Sequence, residues 1–384
     1  MRILLSCLQD LRPHPIPAYR FWADYFRNGI AEAGHKCVEI PNVDWAEGAT
    51  HLDADALQQW LERTWTQGLR FIDEELKRGM KIAMFLSYLY PQQIDSAAIA
   101  EIRRRGIPCV NFFCDNIREF KRVPWEYHSF DLHWVPGWEA LEMYARSGAK
   151  TCFAPMPCWI PDEARVPATG ENGQVTFIGS ADELRRVLLN KALLMGARVM
   201  IGGAGWSKVN NEIIGAKSAA ELLKNQIEFV RRRGIPQWFR KTARRLRAPP
   251  SPKIPKACIL SKIDDTEYVT LTKESTITLG VNRVPSFRRS FRNPLVYSRL
   301  RDIEAPMMGA CYLTEWTEGL EHLYDLGTEV ETYRTAEEMV AKIDLLKADE
   351  NARHSMRVAG QRRALADHTV GKSIEKIATS LGLC

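Results

Sequence analysis

Glu304 is the first residue in this sequence placed where chemistry needs a carboxylate. It lies in "SRLRDIEAPMMGACYLTEW" (298–316), on an expected helix 294–308 that passes through a glycine into an apolar strand. An ionised carboxylate is acceptor-only and can take two adjacent hydroxyls, such as those of a ribose. Arg299 and Arg301 precede it on the same stretch. Thr317, Glu318 and Gly319 open "TEGLEHL" (317–323), an expected short helix whose first N–H groups would face an anion. Gly179 and Ser180 make the turn of "FIGSADELRR", between an expected strand and helix, where freed N–H groups can cradle a phosphate. Gly203 belongs to "IGGAGW" (201–206), a strand end that could wall a base or ribose but lacks the GxGxxG spacing of a dinucleotide site. Each residue also has a plainer use. Glu304, Arg299 and Arg301 suit a solvated helix face, Thr317 and Ser180 or Asp182 suit N-caps, and 201–206 suits a flexible loop.

A base for an acceptor hydroxyl would come from the first half. Asp115 ends the run "VNFFCD", and His14 and Asp10 follow the first apolar stretch. Imidazole titrates near neutrality and suits proton abstraction. The segment "LRPHPIP" equally reads as a proline-stiffened loop, and Asp115 as a helix cap. Nine cysteines are scattered without a CxxC, mostly in apolar runs, so no zinc site or disulfide framework is expected. That usage fits a reducing compartment.

These residues need a scaffold that gathers strand ends. At 384 residues the chain exceeds what one core fills, and two domains are expected. Apolar runs at 2–7, 36–41, 81–90, 107–116, 131–137 and 150–157 alternate with amphipathic stretches at 19–33, 54–79, 95–105 and 138–147. Such alternation predicts a parallel sheet with right-handed crossovers, covered on both faces. The proline-rich stretch 155–173 reads as a linker. Strands resume at 174–180, 197–205, 275–282, 310–316 and 328–333, with helices at 182–195, 335–347, 350–366 and 370–381. The expected organisation is an N-terminal domain 1–160, a C-terminal domain 174–366 carrying a basic insertion 229–256, and a closing segment 367–384 that packs back on the first domain. Ligands of open α/β sheets sit beyond the carboxyl ends of the strands, so a cleft between the domains is the expected site.

The net charge of +6 is local: residues 231–256 hold ten basic residues and no acid, which leaves the body slightly acidic. A nucleic-acid-binding body is thereby excluded. Trp238 and Phe239 stand among those arginines, and an aromatic-basic helix can lie on an anionic membrane or hold a lipid-linked phosphate. The prolines around it equally suit a solvated insertion. No apolar run reaches the ~18 residues of a spanning helix, and the N-terminal run lacks a cleavage pattern. A cytoplasmic protein, at most peripheral at the inner face of the membrane, is expected.

From about residue 100 onward the chain resembles the CgeB-type, or spore-maturation-type, glycosyltransferases, relatives of the large group 1 superfamily. The resemblance is carried by "RDIEAPMMGACYLTE", "EGLEHLYDLGTEVETYRTAEEMVAKI" and "ENARHSMRVAGQRRALADHT", by "FIGSADELRR" with "ARVMIGGAGW", and in the first half by "FFCDNIREF" and "FDLHWVPGWEALEMYARSGAKTCFAPMPCWIP". It implies an α/β GT-B fold, with two Rossmann-like parallel-sheet domains and an interdomain cleft. It implies a nucleotide-sugar donor in the C-terminal domain, no cofactor and no required metal. By the same resemblance Glu304 binds the donor ribose, Gly179–Ser180 and Thr317–Gly319 line the diphosphate and sugar, and Arg299 or Arg301 meets the leaving group. The acceptor class is a glycan, a lipid-linked group or a protein, in cell-surface polysaccharide, glycolipid or glycoprotein assembly. Many group 1 members carry a second glutamate eight positions before the ribose glutamate; here Val296 stands in its place. That puts retaining chemistry of that kind in doubt and leaves open a degenerate assembly or scaffold module. A GT-B nucleotide-sugar epimerase is the other enzyme class such a site would suit.

Overall fold

The computed structural model describes residues 1–16, 19–207, 230, 242, 252–286, 289–291 and 293–383. The expected basic insertion 229–256 therefore lies almost wholly outside the described residues, including every arginine from 231 to 247. The chain forms two compact units, one of Met1–Pro161 with Arg363–Cys384 and one of Asp162–Arg362.

The first unit is built on six parallel strands: β1 (Arg2–Cys7), β2 (Lys36–Glu39), β3 (Met84–Tyr88), β4 (Cys109–Phe112), β5 (Leu132–Val135) and β6 (Thr151–Phe153), in the order β2-β1-β3-β4-β5-β6. β3, β4 and β5 are buried along their whole length, as strands covered on both faces must be. Asn111 is the polar exception at the centre of β4. It accepts from Ser87 Oγ (2.8 Å) and Leu89 N (3.0 Å) and donates to Leu89 O (3.2 Å), which fixes the chain as it leaves β3. Helix Arg20–Glu32 turns Trp22, Phe26 and Ile30 inward at helical spacing. Trp22 meets Tyr88 and Phe112, and Phe26 meets Phe112 and Trp134. The last helix, Val370–Leu381, buries Val370, Ile374, Ile377 and Ala378 and packs on that same helix and on β5 and β6. Gly29 admits it: a Cβ there would collide with Val370.

The second unit holds five parallel strands, β7 (Val175–Ile178), β8 (Val199–Gly202), β9 (Ile277–Gly280), β12 (Tyr312–Glu315) and β13 (Glu331–Tyr333), ordered β13-β12-β9-β7-β8. Both sheets thus reverse direction of growth after their second strand, so each has a switch point beside its first strand: β1/β3 in one, β7/β9 in the other. Doubly wound sheets take ligands there. The two α/β sheets are the ones expected from the alternation.

Two expectations in the second unit are corrected, and one helix there was not foreseen. The helix predicted over 294–308 begins only at Arg301 and ends at Met307; before it β11 (Leu295–Val296) pairs antiparallel with β10 (Arg283–Val284). Val284 and Val296 prefer the pleated ladder, and Ser298 and Arg299 are drawn back onto Asp302. The helix predicted over 317–323 is a single 3-10 turn, Leu320–His322, because Gly319 is left-handed (φ +86°) and breaks the run. Conversely, the stretch after the insertion contains helix Asp265–Glu274, set by a capping box in which Asp264 accepts from Glu267 N (2.8 Å).

Candidate functional site

At the carboxyl edge of the second sheet, β7 and β8 run out together. Gly179 N donates to Gly202 O (2.9 Å) and Ala181 N to Ala204 O (2.8 Å), so the two glycine loops stay paired past the strand ends. Gly203 sits at φ +113° with its open face against Gly179; a Cβ would lie 2.5 Å from Gly179 O. Trp206 Nε1 donates to Gly179 O (2.7 Å), and the Arg186 guanidinium covers the Trp206 ring at 5.2 Å while donating to Trp206 O (3.1 Å). The "IGGAGW" segment is a braced wall, not a loose loop.

Asp182, and not Ser180, caps helix Glu183–Leu194, accepting from Leu184 N and Arg185 N (both 2.9 Å). Two N–H groups expected to face a phosphate are therefore already used. Positive charge comes instead from Arg185, the third residue of that helix, whose Nη1 donates to Ser180 O (2.8 Å). Its side chain is largely buried, 15% exposed, with Asp182 3.3 Å away. Burial holds the Arg185 pKa below its usual value; Asp182 opposes this, and the cations of Arg299 and Arg301 add to it. Three guanidiniums thus share one region, an arrangement suited to an anion.

Asp302 positions two of them. It is fully buried and accepts five hydrogen bonds, from Ser298 Oγ (2.9 Å), Arg299 N (3.1 Å), Asn282 Nδ2 (2.9 Å), Tyr312 OH (2.8 Å) and Thr314 Oγ1 (2.8 Å). Burial raises its pKa, and the hydrogen bonds pull the other way. Gly280 is required beside it, since a Cβ would strike the Tyr312 and Thr314 hydroxyls. With the 298–302 loop so pinned, Arg299 lies 5.2 Å over Tyr297 and Arg301 lies 4.8 Å over Tyr268. The Tyr268 hydroxyl donates to Glu304, which is buried (7% exposed) and so is not a solvent-facing helix residue.

The next strand ends complete the edge. Glu315, closing β12, accepts from Asn282 N (3.1 Å), Arg283 N (3.0 Å) and Arg283 Nε (2.8 Å), which ties the β9 exit to the β12 exit. Thr317 is buried, and its hydroxyl meets no hydrogen-bond partner among the described residues. Glu318 is exposed, Gly319 is buried, and Arg334 lies over the Trp316 ring at 3.4 Å. A three-residue 3-10 turn offers little dipole, so the helix-terminus argument for Thr317–Gly319 does not hold. The structure gathers Gly179, Ser180 and Gly203, sets Arg299, Arg301 and Glu304 on one loop and helix, and puts Thr317–Gly319 after the next strand. Arg185, Asp302, Tyr268, Asn282 and Glu315 were missed in the sequence.

In the first unit, His14 and Asp115 both follow strand ends, but of β1 and β4, with β3 between them. Asp115 precedes helix Asn116–Glu119 without capping it through its side chain, and lies 3.5 Å from Arg118. Asp10 accepts from Tyr19 OH (2.6 Å) and Arg20 Nη2 (2.8 Å). Among the described residues no cluster of three or more His, Cys, Asp or Glu is placed to hold a metal ion, and no helix is long and apolar enough to cross a membrane.

A family profile described as "Glycosyl transferase-like" matches residues 184–379, just over half of the chain. No curated protein matches the sequence. Among solved structures, the fold is similar to that of HepE from Anabaena in complex with UDP (TM-score 0.59, 10% identity, 100% of both chains). It is similar to sucrose-phosphate synthase from Thermosynechococcus elongatus (TM-score 0.56, 12% identity, 99% of this chain and 98% of that one). It is also similar to a glycosyltransferase from Rickettsia africae (TM-score 0.56, 10% identity, 99% and 97%). HepE is also known with UDP-glucose bound. These neighbours identify the two-sheet architecture as GT-B.

Proposed function

The chain belongs to the glycosyl transferase-like family, and from that premise we propose that it transfers a sugar from a nucleoside diphosphate to an acceptor hydroxyl, with the donor held by the second unit. One observation carries the reading: Arg185 follows the β7 exit and feels the charges of Arg299 and Arg301, which share a loop and helix with the buried Glu304. Three cations beside one carboxylate match a diphosphate beside a ribose diol. As the glycosidic bond breaks, charge gathers on the departing diphosphate, and preorganised guanidiniums stabilise it without reorganising. They supply the charge a divalent cation otherwise brings, so the reaction proposed is metal-independent.

Glu304 takes the ribose hydroxyls in this reading, with Tyr268 fixing its orientation. Gly179, Ser180 and Gly203 form the wall beside the diphosphate and nucleoside, and Thr317, Glu318 and Gly319 face the sugar. The UDP and UDP-glucose complexes of HepE favour a uridine donor for this chain. The CgeB-type resemblance adds a cell-surface glycan, glycolipid or protein as acceptor, at a membrane face reached from the cytoplasm. The experiment is product analysis with UDP-glucose and a mixed glycan acceptor pool. Release of UDP with a new glycoside is expected. Recovery of an altered UDP-sugar without transfer would replace the transferase with an epimerase.

A further inference from the structure

Arg185, Arg299 and Arg301 are not the last cations at the carboxyl edge of the second sheet. The ladder between β12 and β13 runs one residue past β12, since Trp316 N donates to Tyr333 O (2.8 Å). Side chains alternate along a strand, so Trp316 falls on the face of Thr314, whose hydroxyl donates to Asp302 (2.8 Å). That face carries helix Arg301–Met307 and, at the start of the helix, the loop with Arg299. Arg334, the residue after β13, lies over the Trp316 ring at 3.4 Å.

The indole takes the face of the Arg334 guanidinium and leaves its edge, where the N–H donors lie. The acids on β13, at the head of the next helix and on β12 are held elsewhere. Glu331 pairs with Lys342 (2.9 Å), Glu337 with Lys191, and Glu315 with Arg283. Glu338 accepts from the backbone N of Arg334 (2.7 Å), not from its guanidinium. Among the described residues no group pairs with or hydrogen-bonds that guanidinium, although the side chain is exposed beside Trp316. Directly after Trp316 the chain turns, with Leu320 N donating to Thr317 O (3.3 Å). This turn, assigned above to the donor sugar, holds the buried Thr317 hydroxyl that has no partner among the described residues. A buried polar group left unpaired is costly, which is why one kept in a fold points to a ligand.

We propose that Arg334 reads a carboxylate on the donor sugar, so that the donor is a nucleoside diphosphate uronic acid. The proposal rests on the reading of the second unit as the donor site. The diphosphate already has its cations. A further guanidinium, stacked and unpaired farther along the same edge and next to the sugar turn, fits a second anionic group on the same donor. A carboxylate is planar and accepts at two oxygens, which matches the guanidinium fork. A neutral hydroxymethyl group in its place would leave the cation without a partner. Trp316 holds the arginine by its cation–π contact, so less side-chain freedom is lost when the carboxylate arrives.

UDP-glucuronate and UDP-glucose differ only at C6 of the sugar. Both are titrated calorimetrically into wild type, Arg334→Gln and Arg334→Lys, with UDP alone as the reference. Wild type is expected to bind UDP-glucuronate about 10-fold or more tightly than UDP-glucose, the worth of a hydrogen bond between charged groups. In Arg334→Gln that ratio falls to about one. Arg334→Lys keeps the charge and loses the fork, and its ratio lies between the two. Added salt lowers the wild-type ratio, because the pair forms at an exposed side chain. A wild type that binds UDP but shows no preference, or prefers UDP-glucose, overturns the uronic acid and leaves the transferase standing. A ratio that survives in Arg334→Gln assigns the carboxylate to another group and overturns the role of Arg334. Wild type that binds neither UDP nor either sugar nucleotide overturns both readings.

Discussion

Glu304 shows how much one residue can reveal and how much it hides. Its place in "RDIEAPMMG" marks it as a nucleotide ligand by resemblance, but nothing in that string says that it is buried or that Tyr268, thirty-six positions earlier, donates to it. Glu304→Ala is expected to weaken UDP binding by about 1–3 kcal/mol, the loss of a charged hydrogen bond, with the fold retained; calorimetry at equal affinity would remove the ribose role. Arg185 was not legible because a basic residue in the first turn of a helix reads as a solvated charge. Only the folded proximity of Arg299 and Arg301 distinguishes it. His133 makes a separate test of the first unit. It is 2% exposed in β5 and its Nε2 lies 2.9 Å from Tyr127 O, and burial lowers its pKa to about 4. The unfolded chain protonates it near 6.5, so the unfolded state binds more protons between those values and stability falls as pH falls. The slope expected is up to about 1.4 kcal/mol per pH unit. His133→Gln should flatten the melting-temperature profile from pH 6.5 to 4; an unchanged slope would assign it to another group.

At the scale of elements, the alternation of apolar and amphipathic stretches reports nearly every strand and helix of both sheets, because the central strands are buried along their whole length while the helices between them are amphipathic. Shorter elements escape. β10 and β11 have two residues each, too few for a period to register. Helices Trp45–Ala49 and Asp265–Glu274 went unread as well, although Asp44/Glu47 and Asp264/Glu267 have the spacing of an N-cap acid and an acid three residues later. The glycine loops after β7 and β8 carry a prediction of their own. Gly203→Ala needs a left-handed alanine and a Cβ against Gly179 O, so it should cost about 1–3 kcal/mol and displace the wall beside the donor. Chemical unfolding and UDP titration would check it; wild-type stability with wild-type affinity would show that the loop pairing is dispensable.

For the whole molecule, the sequence discloses two doubly wound units but not their strand orders, because order is fixed by pairings between strands far apart in the chain. Both units adopt the same order in their first five strands, so both present a switch point. Gly179 and Ser180 follow β7 at that of the second unit, and His14 follows β1 at that of the first. The return of Val370–Leu381 to the first unit depends on Gly29, and Gly29→Leu should unseat that helix, lowering the melting temperature of the protein while leaving Arg185, Arg299 and Arg301 in place. Retained UDP affinity with reduced stability is the expected pattern.

The central claim is that three arginines of the second unit hold a nucleoside diphosphate without a metal. A calorimetric titration of UDP into wild type and Arg185→Ala, each with and without EDTA, tests it most directly. Wild type should bind equally well with EDTA, and Arg185→Ala should bind about 10- to 100-fold more weakly, the worth of a hydrogen bond to a charged group. Absence of UDP binding by wild type, or equal binding by Arg185→Ala, would contradict the account.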